Sequence, residues 1–220
     1  MRKLIITADI HSNLEALEKL PAGKVLCCGD LVGYGANPNE VVEMVSGADW
    51  SCVMGNHDWA SLTKEVGGMN SFAKEACLWT FNQLTPNNRK YLAGLPRTKT
   101  LEIEGKSILV VHGSPRDALN EYIFNPETAK KLLKAIPHDI LLFGHTHMPM
   151  VVRADDKVAI NPGSVGQPRD DDPRLSYAEI RFPSLEVRVV RKSYDLEKAA
   201  KKIISAGLPP VLAERLYGGW

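Results

Sequence analysis

Residues 140–147 read Ile-Leu-Leu-Phe-Gly-His-Thr-His, an apolar run that ends in a glycine and two histidines. Four apolar residues before a glycine predict a short, buried strand. The same arrangement occurs four more times in the chain of 220 residues. The apolar runs are residues 4–8, 25–28, 51–54 and 108–111, and the polar groups that follow them are Asp9-Ile10-His11, Gly29-Asp30, Gly55-Asn56-His57-Asp58 and His112-Gly113.

These five strand ends predict a site. In α/β sheets, binding and catalytic residues lie in the loops beyond the carboxyl ends of parallel strands. Imidazole, carboxylate and amide groups are ligands that suit transition metals. Turn or capping chemistry explains each group alone, and their number and order together indicate metal binding. The remaining histidine, His138, lies on a predicted helix-to-strand turn, and we interpret it as a surface residue.

The composition excludes several classes of protein. Lysine and arginine number 27 against 26 acidic residues, a balance that argues against a nucleic-acid-binding surface or a polybasic membrane surface. The apolar stretch after Lys3 is too short for a secretory signal, and we expect no membrane span. Cys27 and Cys28 should point to opposite faces of one strand and so cannot chelate one ion together. We expect a reduced, cytoplasmic protein.

Helical patterns alternate with about ten predicted strands, which favours a layered α/β fold with two sheets inside helices. Ser12-Asn13-Leu14-Glu15 has capping-box spacing at the start of one helix, and residues 37–47 and 125–136 predict two more. Residues 67–96 predict two helices, either an inserted cap over a site or an extra packing layer. Residues 193–220 predict C-terminal helices, and residues 1–220 are interpreted as a single domain.

The order Asp-x-His, Gly-Asp, Gly-Asn-His-Asp, His and Gly-His-x-His over residues 9–147 resembles the calcineurin-like metallophosphoesterase superfamily. The tract 161–169 and the terminal helix pair are similar to its small prokaryotic single-domain branch. The resemblance implies a four-layer αββα sandwich, with two mixed β-sheets flanked by helices. It also implies a dinuclear metal centre at the strand ends.

The resemblance further implies which residues bind the metals. One ion would be held by Asp9, His11, Asp30 and His147, and the other by Asp30, Asn56, His112 and His145, with Asp30 as the bridge. Such ligands suit Mn, Fe, Ni, Co or Zn, and we favour Mn. Two divalent ions, two carboxylates and a bridging hydroxide leave a charge of about +1 that attracts phosphate, and the hydroxide would be the nucleophile.

Six further residues are candidates around the metals. The resemblance implies that His57 protonates the leaving oxygen or steadies the transition state, and Asp58 either orients His57 or caps a helix. Arg116 and Arg169 either bind the substrate or pair with neighbouring aspartates. Asn161 and Ser164 either line the site or form a plain turn. The neighbouring aspartates are Asp117 and Asp170.

The function that this pattern predicts is metal-dependent hydrolysis of a small phosphoester, and we favour a phosphodiesterase. A phosphomonoesterase, including a protein phosphatase, and a dinucleoside-polyphosphate hydrolase remain alternatives. A non-catalytic metal-binding scaffold is a further alternative, which the presence of His57 and all seven ligands disfavours. Apolar faces on residues 70–84 or on the last helix are candidate contacts for a homo-oligomer.

Overall fold

The computed structural model of the protein describes residues 2–48 and 50–220, and ten strands and eight helices lie within them. The strands are β1 (Arg2–Thr7), β2 (Val25–Cys27), β3 (Ser51–Cys52), β4 (Thr98–Ile103), β5 (Lys106–Val111), β6 (Ile140–Leu142), β7 (Pro149–Ala154), β8 (Lys157–Pro162), β9 (Leu175–Phe182) and β10 (Glu186–Lys192). The helices are α1 (Leu14–Leu17), α2 (Pro38–Gly47), α3 (Asn56–Thr63), α4 (Ser71–Gln83), α5 (Pro86–Ala93), α6 (Pro126–Ala135), α7 (Leu196–Ser205) and α8 (Pro210–Gly218).

The strands form two five-stranded sheets. The first sheet has the order β10-β9-β1-β2-β3 and the second has the order β4-β5-β6-β8-β7. Strands β1, β2 and β3 are parallel, as are β5, β6 and β8, whereas the remaining pairs are antiparallel. Both sheets are therefore mixed, and the parallel strands of each point their carboxyl ends towards the five predicted motifs.

Side-chain alternation places the two sheets face to face. Leu4 and Ile6 of β1 pack with Ile140 and Leu142 of β6 in one buried core between the sheets. Ile5 points the other way and packs with residues of α1, α2 and α5. Helix α6 covers the outer face of the second sheet. The predicted four-layer αββα sandwich with two mixed sheets is confirmed.

One local prediction near the site is wrong, and one helix there had been left open. Helix α1 is capped by Asn13, whose Oδ1 accepts a hydrogen bond from the backbone N–H of Ala16 at 3.1 Å. Ser12 instead takes a left-handed conformation with φ of 54°, so it lies outside the helix and forms no capping box. Helix α3 had been left open, as one of the two roles of Asp58, because residues 56–63 lack an apolar repeat. It begins directly at Asn56, inside the motif Gly55-Asn56-His57-Asp58.

The predicted helices of residues 67–96 are present as α4 and α5, and they pack differently. Ala73 and Ala76 of α4 pack with the C-terminal helices α7 and α8 and with Tyr34. Leu92 of α5 packs against the outer face of the first sheet. Helix α4 therefore borders the strand-end loops, and α5 extends a packing layer. None of the helices in residues 2–48 and 50–220 is long and apolar enough to cross a membrane.

Candidate metal centre

The loops after the parallel strands bring the candidate ligands into two buried groups. Asp9, His11 and His147 form the first, which we call the inner group. Asp30, His112 and His145 form the second, which we call the outer group. In each group the ligand atoms lie within 4.8 Å of one another. Each group takes residues from loops of both sheets, so the site exists only where the two sheets meet.

The inner group has its ring nitrogens and carboxylate close together. His11 Nε2 lies 3.0 Å from His147 Nε2, and His147 Nε2 lies 3.7 Å from Asp9 Oδ1. The backbone N–H of His145 donates to Asp9 Oδ2 at 3.1 Å and fixes that carboxylate. The Tyr34 ring lies 4.7 Å from the His11 ring and covers this side.

The outer group adds the amide that the motif predicted. His112 Nε2 lies 3.0 Å from His145 Nδ1 and 2.9 Å from Asn56 Oδ1. It also lies 3.4 Å from Asp30 Oδ2. The other oxygen of Asp30 accepts a hydrogen bond from the backbone N–H of His57 at 2.8 Å. Asn56 therefore joins this group through its carbonyl oxygen, as a neutral ligand would.

Backbone carbonyls fix the tautomer of all four histidine ligands. A carbonyl oxygen only accepts, so the ring nitrogen that faces it carries the proton and the opposite nitrogen is a free lone pair. The free nitrogens are those that face each other at 3.0 Å, an arrangement that is repulsive unless a cation lies between them. The pairs are His11 Nδ1 with Val32 O (3.1 Å), His112 Nδ1 with Cys28 O (2.8 Å), His147 Nδ1 with Gln167 O (2.6 Å) and His145 Nε2 with Asn120 O (3.2 Å).

Asp30 has one carboxylate oxygen that fits a metal pair. Asp30 Oδ2 is buried and has no hydrogen-bond partner among the described residues. It lies 3.6 Å from His11 Nε2 in the inner group and 3.4 Å from His112 Nε2 in the outer group. An unpaired buried carboxylate oxygen is costly, and a cation on each side would satisfy it. The donor set therefore fits two divalent ions that share Asp30.

Burial shifts the titration of these groups. Burial, with the nearby Asp30 carboxylate, raises the pKa of Asp9 well above its usual range, and burial raises the pKa of Asp30 to about 8. Burial lowers the pKa of His112 to about 4 and also lowers the pKa of His11 and His147. Without bound cations the protein environment favours the uncharged form of every group. Neutral imidazoles are the form that binds a metal ion.

The ligand backbone is strained. Five of the seven candidate ligands have a left-handed conformation, which L residues other than glycine seldom adopt and which costs about 1–3 kcal/mol each. This conformation turns the chain sharply at each strand end and aims the side chains at one point. No sequence pattern predicted this left-handed conformation. The residues and φ angles are Asp9 (54°), His11 (49°), Asp30 (55°), His145 (68°) and His147 (60°).

One glycine is required by a close approach. A Cβ atom at Gly55 would lie 2.0 Å from Asp30 Oδ1 and 2.4 Å from the Asp30 backbone nitrogen. Any side chain at this position would displace Asp30. The glycine before Asn56 thus lets two neighbouring loops of the first sheet approach closely.

His57 lies beside both groups, and Asp58 does not touch its ring. His57 follows Asn56 in α3, and its ring packs 4.7 Å from the ring of His11. Both oxygens of Asp58 accept backbone hydrogen bonds, from Gly55 N and Val32 N, each at 3.0 Å. Of the two roles that the sequence left open for Asp58, the contacts match the helix cap.

The two candidate arginines do not make the predicted ion pairs. Arg116 is exposed and pairs with Glu121 instead of Asp117, because the loop folds back and brings Glu121 beside Arg116. Arg169 donates to the Tyr34 hydroxyl at 3.1 Å and to Gln167 Oε1 at 3.0 Å, above the inner group. The expected partner of Arg169 pairs elsewhere, as Asp170 contacts Arg191.

Asn161 and Ser164 are buried and support the ligand loops from outside. Asn161 Nδ2 donates to the backbone carbonyl of Gly144 at 2.9 Å. Ser164 Oγ donates to the backbone carbonyl of Asp9 at 2.7 Å. Neither lines the open cleft described below. Their contacts fit a supporting role more closely than the substrate contact that the sequence predicted.

A cleft of about 1000 Å³ opens beside the outer group. Its wall includes Asn56, His57 and His145 and also Trp59 and Tyr122. The Tyr122 ring stacks on the His145 ring at 3.7 Å with an angle of 19°. Tyr34, Asn120 and Tyr122 were not among the residues predicted from the sequence. Only Tyr34 had a sequence signal, because a glycine lies on each side of it. The loop of residues 113–125 has no pattern that shows which residues turn inward.

The fold and the two ligand groups together define a metal-binding protein of the metallophosphoesterase class. The sequence model of the calcineurin-like phosphoesterase superfamily domain matches residues 1–182. The chain belongs to this superfamily, as the motif order predicted.

Similar proteins are known over the full chain length. An uncharacterized protein of Methanocaldococcus jannaschii is 36% identical, and the match covers 98% of each chain. The crystal structure of a metallophosphoesterase from Sphaerobacter thermophilus superposes with a TM-score of 0.87 at 35% identity and covers 100% of both chains. The phosphodiesterase YfcE of Escherichia coli is 24% identical, over 79% of this chain and 84% of YfcE. The first two similarities include α7 and α8, beyond the family model.

Proposed function

We propose that the protein is a dinuclear metal-dependent phosphoester hydrolase that prefers phosphodiesters. The inner group with Asp30 would hold one divalent ion, and the outer group with Asn56 would hold the other. The observation that carries the proposal is the buried, unpaired Oδ2 of Asp30 between two sets of histidine nitrogens that have free lone pairs. Mn is the favoured ion, and Fe, Ni, Co and Zn suit the same ligands.

The chemistry that two such ions supply when bound is positive charge for the phosphoryl oxygens and a lowered pKa for a water between them. The chain itself supplies the geometry. The four histidines whose rings donate to backbone carbonyl groups hold their free nitrogens towards the site. The backbone N–H groups of His57 and His145 fix the carboxylates of Asp30 and Asp9. His57, on the wall of the cleft, faces the space where a leaving group would lie.

The cleft supports a diester over a monoester. A monoester needs room for a phosphoryl group and one ester substituent, whereas a diester carries a second substituent. The space beside His57 and His145 measures about 1000 Å³, and Trp59 and Tyr122 offer it aromatic surface. The name of YfcE, a phosphodiesterase, agrees with this preference.

The test combines metal analysis with a substrate screen. Protein loaded with excess Mn and freed of unbound ion should contain about two Mn per chain. Turnover of bis(p-nitrophenyl) phosphate should then exceed turnover of p-nitrophenyl phosphate and of a dinucleoside polyphosphate. The screen is repeated with Fe, Ni, Co and Zn. About one ion per chain would contradict the dinuclear site, and a preference for the monoester would contradict the proposed substrate class.

A non-catalytic scaffold is the alternative from another class of proteins. It predicts normal metal content without hydrolysis of any of the three substrates. The presence of His57 beside both groups favours catalysis, since a scaffold has no need of an imidazole at the mouth of the cleft.

A further inference from the structure

The ring of His57 contacts a thiol and not the carboxylate of Asp58. Cys77 Sγ, on α4, lies 3.3 Å from His57 Nδ1, and both side chains are buried. Across residues 2–48 and 50–220, Cys77 provides the hydrogen-bond contact of this ring. A Cβ atom at Gly33 would lie 2.5 Å from the same nitrogen, so the Gly33 backbone closes another approach to it. Nδ1 is therefore enclosed, with the thiol as its polar neighbour.

Other polar and aromatic groups near His57 are engaged elsewhere. Asp58, next in sequence, bonds to two backbone N–H groups through its two oxygens. Tyr34 packs against the His57 ring at 4.4 Å, and its hydroxyl accepts a hydrogen bond from Arg169. Packing by Tyr34 limits tilting of the ring, but it does not choose between the two nitrogens.

The thiol carries a proton that it can donate to the imidazole in this contact. Burial raises the pKa of the Cys77 thiol to about 12, so the sulfur keeps its proton at neutral pH. An S–H group donates weakly, and of the two acceptors on His57 the Nδ1 atom at 3.3 Å is nearer than the carbonyl oxygen at 4.0 Å. The Ser61 hydroxyl is a further polar neighbour of the sulfur. When Nδ1 accepts a hydrogen bond, the proton of a neutral imidazole is on Nε2.

We propose that Cys77 is a positioning residue that holds His57 in the tautomer with the proton on Nε2. His57 then offers a hydrogen-bond donor to the cleft. In phosphoester hydrolysis an oxygen from water forms a bond to phosphorus, the bond from phosphorus to the leaving oxygen breaks, and the electron pair of the broken bond stays on the leaving oxygen. The N–H of His57 hydrogen-bonds to the oxygen as this charge develops, and the proton stays on nitrogen. The role of His57 in hydrolysis rests on the proposed function, whereas the assignment of its tautomer does not.

This role also connects α4 to the site. Helix α4 lies in residues 67–96, for which the sequence left open a cap or a packing layer. Its N-terminal half packs on α7 and α8 through Ala73 and Ala76, and Cys77 follows directly. The C-terminal helices thus support the helix that carries the thiol.

The first measurement is of the tautomer. Protein with ¹⁵N-labelled histidine is loaded with Zn, and the imidazole signals are recorded for wild type, His57→Asn, Cys77→Ala and Cys52→Ala. The signal lost in His57→Asn identifies His57. We expect a proton on Nε2 in wild type and in Cys52→Ala, whose buried thiol packs in the core between the first sheet and helices α1, α2 and α5. Cys77→Ala should show mixed tautomers. A proton on Nδ1 in wild type, or an unchanged signal in Cys77→Ala, would overturn the proposal.

The second measurement is of leaving-group dependence, with methyl p-nitrophenyl phosphate and methyl phenyl phosphate. Phenolate is the poorer leaving group, so a donor to the leaving oxygen matters more for it. Cys77→Ala should lower kcat for the phenyl ester by about 10-fold, with a smaller loss for the nitrophenyl ester and KM within about twofold. Cys77→Ser, which keeps a donor, should restore part of the loss.

Metal content and Tm of each variant confirm that it is folded and loaded. Equal losses of kcat for both esters, or a change in KM alone, would overturn the role of Cys77 in hydrolysis. If wild type hydrolyses neither ester, the proposed function fails, and the tautomer measurement still decides whether Cys77 positions His57.

Discussion

The inner and outer groups have the same kinds of ligand and different surroundings. Tyr34 covers the inner group, with Arg169 bonded to its hydroxyl, and none of Asp9, His11 and His147 lines the large cleft. The outer group exposes His145 to that cleft. One wall of the cleft is the loop of residues 113–125, whose backbone carbonyl at Asn120 holds the ring of His145.

Similar ligands therefore need not have similar tasks. An ion in the inner group would lie beside the Tyr34 ring and away from the large cleft. An ion in the outer group would face the cleft, where substrate can approach and where a surface loop sets the ligand orientation. We therefore expect tighter retention in the inner group and a direct role in substrate binding for the outer group. Three substitutions test this comparison.

Asp30→Ala should have the largest effect, because Asp30 serves both groups. We expect metal content to fall from about two ions towards none and turnover of bis(p-nitrophenyl) phosphate to fall by at least about 10³-fold. Asp30→Asn, which keeps a hydrogen-bond acceptor for the His57 N–H, separates loss of charge from loss of folding. Metal analysis and steady-state kinetics measure both. Full metal content in Asp30→Asn would show that Asp30 does not bridge.

Asp156→Asn is the matched control for that substitution. Asp156 is exposed in the turn between β7 and β8, away from the strand ends of the metal centre. Its metal content and turnover should equal those of wild type. A loss in this variant would show that the effects at Asp30 reflect the removal of any acidic residue.

His57→Asn should leave both groups loaded while turnover falls by about 10²–10³-fold, because a hydrogen bond to the developing charge is lost. Metal analysis and kcat for bis(p-nitrophenyl) phosphate give the two readouts. His138→Asn is the control, since His138 lies 2.7 Å from Ser107 Oγ on the helix-to-strand turn and away from the metal centre. Loss of ions together with turnover in His57→Asn would instead assign His57 a role in metal retention.

Tyr122→Ala should have the smallest effect and should separate the two groups. Removing the ring that stacks on His145 should raise KM by about 3–10-fold, the range expected for one aromatic pair. A chelator should remove one of the two ions faster than in wild type and leave the release of the other unchanged. Tyr217→Ala, at an exposed position on α8, is the control. Equal acceleration of both releases would contradict the distinction between the groups.

Much of the fold was predictable from the sequence because the strands near the site are short, apolar and ended by glycine or polar residues. The alternation of Leu4, Ile5 and Ile6 between two cores follows from strand geometry alone. Helix α3 was not predictable from its pattern. Its start depends on Asp58, which accepts from the Gly55 N–H, and on burial contributed by the rest of the fold.

The site was predictable in its ligand types and less so in its support. The spacing of Asp9 and His11 after a strand identifies candidates, but the conformation that turns them inward depends on the neighbouring loops. The carbonyl that fixes His145 comes from Asn120, 25 residues away, and depends on how a surface loop closes. The thiol beside His57 comes from a helix with no motif of its own. Contacts of this kind arise from tertiary packing, which periodicity and motifs do not describe.

Both groups draw their ligands from loops of the two sheets, and this has a consequence for the whole molecule. An ion in either group would cross-link the sheets at one end of the core in which Ile6 faces Ile140 and Leu142. The affinity for metal would then depend on how well that core is filled, even at positions that touch no ligand. Withholding the ions would therefore weaken the packing between the two sheets as well as the chemistry at the metal centre.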